Sequence, residues 1–295
     1  MSTHPLPQTR IYCTLRWGGL AQPPYVLANP GPLKALRQRV ILLMPGYNVS
    51  DAKAHRELRH FEDHLRRVAS QLSPHVGWLL WPGDWSVPLL RGAAYPFKLA
   101  RTAAIGEAVA AFVAENFRGV DARTIEVVLV AHSLGCKVAL EAAEGLRQAL
   151  PWMNPSQLKL FLMGAAVASE EVASGGRLYQ AARYSDARGV LHSSSDWILQ
   201  TAFRAGQAVT PRQPWRSAAV GVRGEPAGTW TYSEPMAGYG HGAYWNSRAC
   251  AEHFARFMGQ PVSTPLASRP AAMRPMLPAR LGLARQLALR RLGRR

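Results

Sequence analysis

Acidic residues are scarce in this chain, and they stop early. Eighteen Asp and Glu face 35 Lys and Arg, which leaves a net charge of +17 and a pI near 10.7. No acid follows Glu252, while nine Arg do. A surplus of this size ordinarily points to nucleic acid or an anionic membrane, but here about half of it belongs to the last forty residues. Lysine is also rare: 30 of the 35 basic residues are Arg, a skew that GC-rich coding can produce without any functional cause. The chain has three cysteines (Cys13, Cys136, Cys250), an odd number with no CxxC spacing, so neither a disulfide framework nor a zinc site is indicated. Apolar runs such as Val127–Ala131 fall far short of the roughly 20 residues that span a bilayer. Met1–Arg10 carries two Pro and no apolar core of a signal peptide, so the cytoplasm is the expected compartment. Aromatics are missing after Phe257, which removes base stacking from the basic tail and makes nucleic acid an unexpected partner.

What the sequence does contain is an alternation. Val40–Met44 is a short apolar run closed by Pro45-Gly46, which reads as a buried strand. The following helix is capped by Ser50 or Asp51 and carries Ala54, Leu58, Phe61, Leu65, Val68 and Leu72 at spacings of four and three. Val76–Trp81 is a second strand, and a striped helix follows from about 97 to 117. Ile125–Ala131 is a strand running straight into a helix over Leu134–Leu150. Leu158–Met163 and the residues around Gly189–Leu191 are further strands, and Ala251–Met258 lies in a final helix. Ile11–Trp17 is expected as an antiparallel edge strand. Strands alternating with helices predict an α/β fold, a mostly parallel sheet with helices on both faces. The globular domain is set at 10–258. The remainder, 259–295, reads as a basic tail, with five Pro between Pro261 and Pro278.

Chemistry concentrates at Ala131-His132-Ser133-Leu134-Gly135, where the most apolar strand turns into a helix. A serine at such a turn needs small residues two before and two after it, and Ala131 and Gly135 fill those places. Its hydroxyl would project above the carboxyl edge of the sheet, where open α/β sheets place their sites. The helix N-terminus and the Leu134 N–H would then stabilise an oxyanion. The bland alternative is a plain strand–helix turn capped by Ser133.

A serine nucleophile needs a base and an orienting acid, which follow it in the order acid, then His. Of nine histidines only His241 and His253 come late enough, and His253 falls inside the last helix. His241, between Gly240 and Gly242 in a loop, is the expected base, its glycines letting the ring approach the serine. Asp196, after Val190–Ser195, is the expected acid, with an N-cap as its alternative role. Glu170, Glu171 and Asp186 are the fallbacks. Pro45-Gly46-Tyr47-Asn48 sits where the second oxyanion donor belongs: Tyr47 N–H as donor, Gly46 for close approach, Asn48 to pin the loop. His132 and His192 read as structural.

With these residues in view, the sequence resembles the α/β-hydrolase superfamily, and more narrowly the serine-hydrolase-like DUF900 and DUF726 groups. The resemblance runs through Val40–Asn48, Trp81-Pro82-Gly83, Ala131–Gly135, Phe161–Ala166, Ser193–Leu199 and His241–Tyr244, in that order over residues 40–258. It implies a Ser–Asp–His triad and acyl chemistry with no cofactor and no metal. The expected activity is hydrolysis of a carboxylic ester or thioester, the substrate being a small molecule or a lipid. Asp84–Lys98 and Trp197–Trp215 carry aromatics that either cover the site or simply pack their own loops. The rival expectation is a non-catalytic protein of the same fold, held on an anionic membrane or partner through tail residues 262–295. Oligomeric state is left open.

Overall fold

A strand in which nearly every residue is apolar must be covered on both faces, and β3 (Arg39–Met44) and β5 (Glu126–His132) are of that kind. The computed structural model describes residues 11–17, 24–29, 39–47, 49–81, 98–117, 125–151, 153–210 and 217–262. Within them Val40, Leu42, Met44, Val127, Leu129 and Ala131 enter one core, and Ile41, Leu43, Val128 and Val130 enter the other. The two-residue period of a strand divides them in this way.

The remaining strands are β1 (Ile11–Trp17), β2 (Pro24–Asn29), β4 (Val76–Leu80), β6 (Leu158–Met163), β7 (Ala187–His192) and β8 (Tyr232–Pro235). They join in the order β2-β1-β4-β3-β5-β6-β7-β8. Every neighbouring pair is parallel except β1 with β2. The expected place of Ile11–Trp17 is therefore corrected: β1 runs parallel to β4 and lies inside the sheet, and the antiparallel edge is β2. The connection between β1 and β2 is too short for a crossover helix, so it returns as an antiparallel pair. Pro24, the first residue of β2, suits an edge, where a missing N–H costs no ladder bond.

Helix α1 (Asp51–Val68) follows β3 and covers one face. Ser50 caps it by accepting from the Lys53 N–H, and most of the predicted stripe is its buried side. Val68 is half-buried and Leu72 lies beyond the helix, in the 3-10 turn Ser70–His75, whereas Leu58, Phe61 and Leu65 are all fully buried. Each such side chain contributes about 1.5–3 kcal/mol by leaving water. They meet α9 (Arg248–Phe257) on the same face, where Phe61 lies edge-on to Trp245 and tilted to Phe254. The other face holds α2 (Thr102–Asn116) and α3 (Gly135–Ala149). Helical geometry at 98–100 is interrupted by a turn at Arg101, so α2 begins later than the stripe predicts.

Four shorter helices line the loops after β6 and β7: α4 (Ser169–Val172), α5 (Tyr179–Tyr184), α6 (Trp197–Gln200) and α7 (Ala202–Ala208). A fifth, α8 (Val220–Arg223), precedes β8. Among the described residues no helix is long and apolar enough to cross a membrane. The tail beyond 262 lies outside the described residues.

β4 extends the sheet on one side of β3, and the chain then crosses back to place β5 on the other side. The boundary of β3 and β5 is thus a topological switch point, where adjacent loops diverge and leave a crevice at the carboxyl edge.

Candidate active site

Ser133 stands at that crevice, directly after β5. Its φ is +56°, the only non-glycine positive φ among the described residues. A left-handed backbone costs an L-residue about 1–2 kcal/mol, so the flanking structure must hold it. Ser133 N–H donates to Met163 O at the end of β6, and Ser133 O accepts from Ala166 N–H. Ala131 lies fully buried between Met44 and Leu162 in the ladder. At Gly135 an added Cβ would overlap the Pro45 carbonyl oxygen. The small residue at that place thus serves the turn after β3, which lies against the start of α3.

The three residues expected to act together are joined by two hydrogen bonds. His241 Nε2 is 2.7 Å from Ser133 Oγ, and His241 Nδ1 is 2.7 Å from Asp196 Oδ2. A carboxylate only accepts, so Nδ1 carries the hydrogen, and Nε2 of the neutral ring accepts from the Ser133 hydroxyl. Asp196 is completely buried, Ser133 is 6% exposed and the His241 side chain is 19% exposed. The two roles weighed for Asp196 are not rivals: Oδ1 accepts from Leu199 N–H and caps α6, leaving Oδ2 for His241. The fallback acids are elsewhere. Glu171 binds Lys137, and Glu170 and Asp186 are exposed. His253 is also separate, its Nδ1 2.6 Å from the Tyr232 hydroxyl.

Several ties hold the Asp196 and His241 loops together. Ser193 Oγ–H donates to Tyr239 O and accepts from Ser195 N–H, and Met236 N–H donates to His192 O. Strand β8 carries the chain from the Arg188 region to the His241 loop. Ser193 and β8 were both missed in the sequence. The expectation for Gly242 needs correction. A Cβ there would meet nothing within 4 Å, so this glycine does not serve close approach to the serine.

The turn after β3 is where the sequence puts it. A Cβ on Gly46 would lie 2.8 Å from Ser133 Cβ, so only glycine lets the turn come this close. Trp81 Nε1–H donates to Pro45 O at 2.7 Å and pins the turn from the side of β4. Tyr47 is half-buried and packs on the core, while Asn48 lies outside the described residues. Leu134 is fully buried at the N-cap of α3, and no side chain caps that helix among the described residues. The positive dipole end of α3 is therefore aimed at Ser133.

Of the two candidate covering segments, residues 82–97 and 211–216 lie outside the described residues. In the remainder Phe203 is buried and Trp197, beside Asp196, is 63% exposed. Cys136, the second residue of α3, is a separate buried thiol whose burial pushes its pKa far up, so it offers no thiolate.

A second polar cluster lies along α3, with Lys137, Glu141 and Glu171 buried and Arg177 exposed at its edge. Lys137, 1% exposed, donates to both oxygens of Glu171 at 2.5 and 2.7 Å. Arg177 donates to both oxygens of Glu141 and lies 3.8 Å from Glu171. Burial pulls the Lys137 ammonium below its ordinary pKa, and Glu171 opposes that shift. No group of His, Cys, Asp and Glu able to hold a metal occurs among the described residues.

No family model matches the chain, and no curated protein does.

Proposed function

We propose that the chain is a serine hydrolase of the esterase or lipase type, built on the α/β-hydrolase fold. The observation that carries this reading is the Ser133–His241–Asp196 line, two 2.7 Å hydrogen bonds ending on a serine at φ +56°. A capping serine would need neither the left-handed backbone nor a histidine on its hydroxyl.

The chemistry follows from which atoms hold protons. His241 Nε2 takes the Ser133 proton as Oγ attacks the carbonyl carbon of an ester or thioester. Asp196 keeps the proton on Nδ1 and orients the ring. The oxyanion that forms is held by the N–H groups of Leu134 and Tyr47 and by the α3 dipole. The imidazolium then protonates the departing alcohol or thiol, leaving an acyl-enzyme. Water, deprotonated by His241, releases the acid and restores Ser133. The exposed Trp197 next to Asp196 offers an apolar contact to the substrate. The compartment that goes with this reading is the cytoplasm, where the thiols of Cys136 and Cys250 stay reduced.

A fluorophosphonate probe tests the reading directly. The folded protein should be labelled at Ser133, and Ser133→Ala should not be labelled. p-Nitrophenyl esters of increasing chain length then rank the acyl preference, and rates rising with length favour a lipase-like site. A folded wild-type protein that takes up no probe, or equal labelling of Ser133→Ala, overturns it.

A further inference from the structure

His132, the last residue of β5, is 7% exposed, and its Nε2 lies 2.7 Å from the carbonyl oxygen of His241. A carbonyl can only accept, so this nitrogen carries the hydrogen. Burial, reinforced by the neighbouring His241, holds the His132 pKa well below its ordinary value. The ring is therefore neutral and its Nδ1 bare.

Two loops meet on this ring. On one side the His241 and Tyr244 rings lie 4.9 and 5.4 Å away, centroid to centroid. On the other, a Cβ on Gly46 would stand 3.3 Å from His132 Nδ1, so the ring lies against the turn after β3. Through the chain it is joined to Ser133 itself. The His241 loop needs such a tether: Gly242 faces open space, and the local turn is closed by Ala243 N–H to Gly240 O. The Asp196 bond fixes the His241 ring, whereas the His132 bond fixes its backbone.

We propose that His132 is a positioning residue, whose Nε2–H holds the His241 backbone in register with Ser133 while its ring supports the Gly46 turn. The proposal rests on the hydrolase reading above. It makes the histidine beside the serine a brace between the base loop and the oxyanion turn. A shift of about 1 Å in such a group costs on the order of a hundredfold in rate, so loss of the tether acts on turnover more than on binding.

Three substitutions separate the tether from simple packing. His132→Phe keeps a ring without a donor, His132→Asn places an amide N–H where Nδ1 was, and His132→Gln places one where Nε2 was. Each is measured by its fluorophosphonate labelling rate and by kcat and KM on p-nitrophenyl acetate. Phe and Asn are expected to lower kcat by about 10- to 100-fold with KM within about twofold, and Gln to return to within about threefold of wild type. Wild-type rates in the Phe variant, or a Gln variant no better than Asn, would overturn the proposal. A readout on the unaltered protein guards against variants that do not fold. Imidazole ¹⁵N shifts of His132 at pH 7 should report the neutral Nε2–H tautomer, and an Nδ1–H tautomer would overturn the tether. If the wild type takes up no probe while its tautomer is as expected, the hydrolase reading fails and not the brace.

Discussion

Helix α3 carries two polar clusters, one at its N-terminus and one along its flank, and they use polarity in opposite ways. On the flank each cation faces carboxylate oxygens: Lys137 on Glu171, Arg177 on Glu141. Nothing there is left to react. At the N-terminus, Ser133 donates its hydrogen to His241 and keeps its oxygen lone pairs, beside a helix end that no side chain caps among the described residues. Saturation makes a brace, and unspent capacity makes a site. The flank ties α3 to the loop after β6, whose residue Ala166 in turn donates to Ser133 O, so the saturated cluster supports the open one.

Removing the nucleophile should produce the largest effect. Ser133→Ala is expected to lower ester hydrolysis by about 10⁴-fold or more, with a urea midpoint near that of wild type. Ser133→Gly, equally inactive, should be more stable than the Ala variant by about 1 kcal/mol, because glycine relieves the left-handed backbone. Asp196→Asn comes next. It can still cap α6 yet presents the wrong partner to Nδ1, so kcat should fall by about 10³- to 10⁴-fold with the fold retained by circular dichroism.

The flank should respond in stability. Lys137→Met strips the buried Glu171 of both its hydrogen bonds, leaving it only the Arg177 guanidinium at 3.8 Å, and is expected to cost about 3 kcal/mol in urea unfolding, whereas Lys137→Met with Glu171→Leu should recover most of it. Hydrolysis per folded molecule should not change, and a fall in it would break the distinction between brace and site. The smallest effect is in pH. Burial lowers the His253 pKa to about 4 from an ordinary 6.5, and lowers His132 in the same direction. Between those values the unfolded chain binds more protons than the folded one, so stability is fully present above about pH 6.5 and is lost as pH falls through 4. Urea midpoints at pH 7 and 4.5 measure the loss, and His253→Gln should reduce it.

The parts of the fold that were legible are those governed by local pattern. The α1 stripe matches the buried side of that helix, and β5 was marked by a run of residues too apolar for any place but the centre. Ser133, Asp196 and His241 could be named because their order and turn chemistry leave few alternatives. Strand β8 was not legible. It is a four-residue partner of β7 with alternating half-buried and exposed positions, and Ser, Glu and Pro among its residues give no apolar run. The ties of Trp81 to Pro45 and of His132 to His241 O were equally hidden, because they join residues 36 and 109 apart. The dual use of Asp196 was missed for a simpler reason: a carboxylate has two oxygens.

The span between Ser133 and His241, 108 residues, has a consequence for how the molecule comes into being. Closing a contact over so long a span costs more chain entropy than closing a local one, unless the intervening β6, β7 and β8 are already docked. A chain synthesised only as far as residue 240 has its serine and its aspartate but lacks the histidine that accepts the serine proton. On the hydrolase reading proposed above, the reactivity of Ser133 would be withheld during synthesis and would appear only once the His241 loop is in place. Titrating reactive serine during refolding would then count finished molecules.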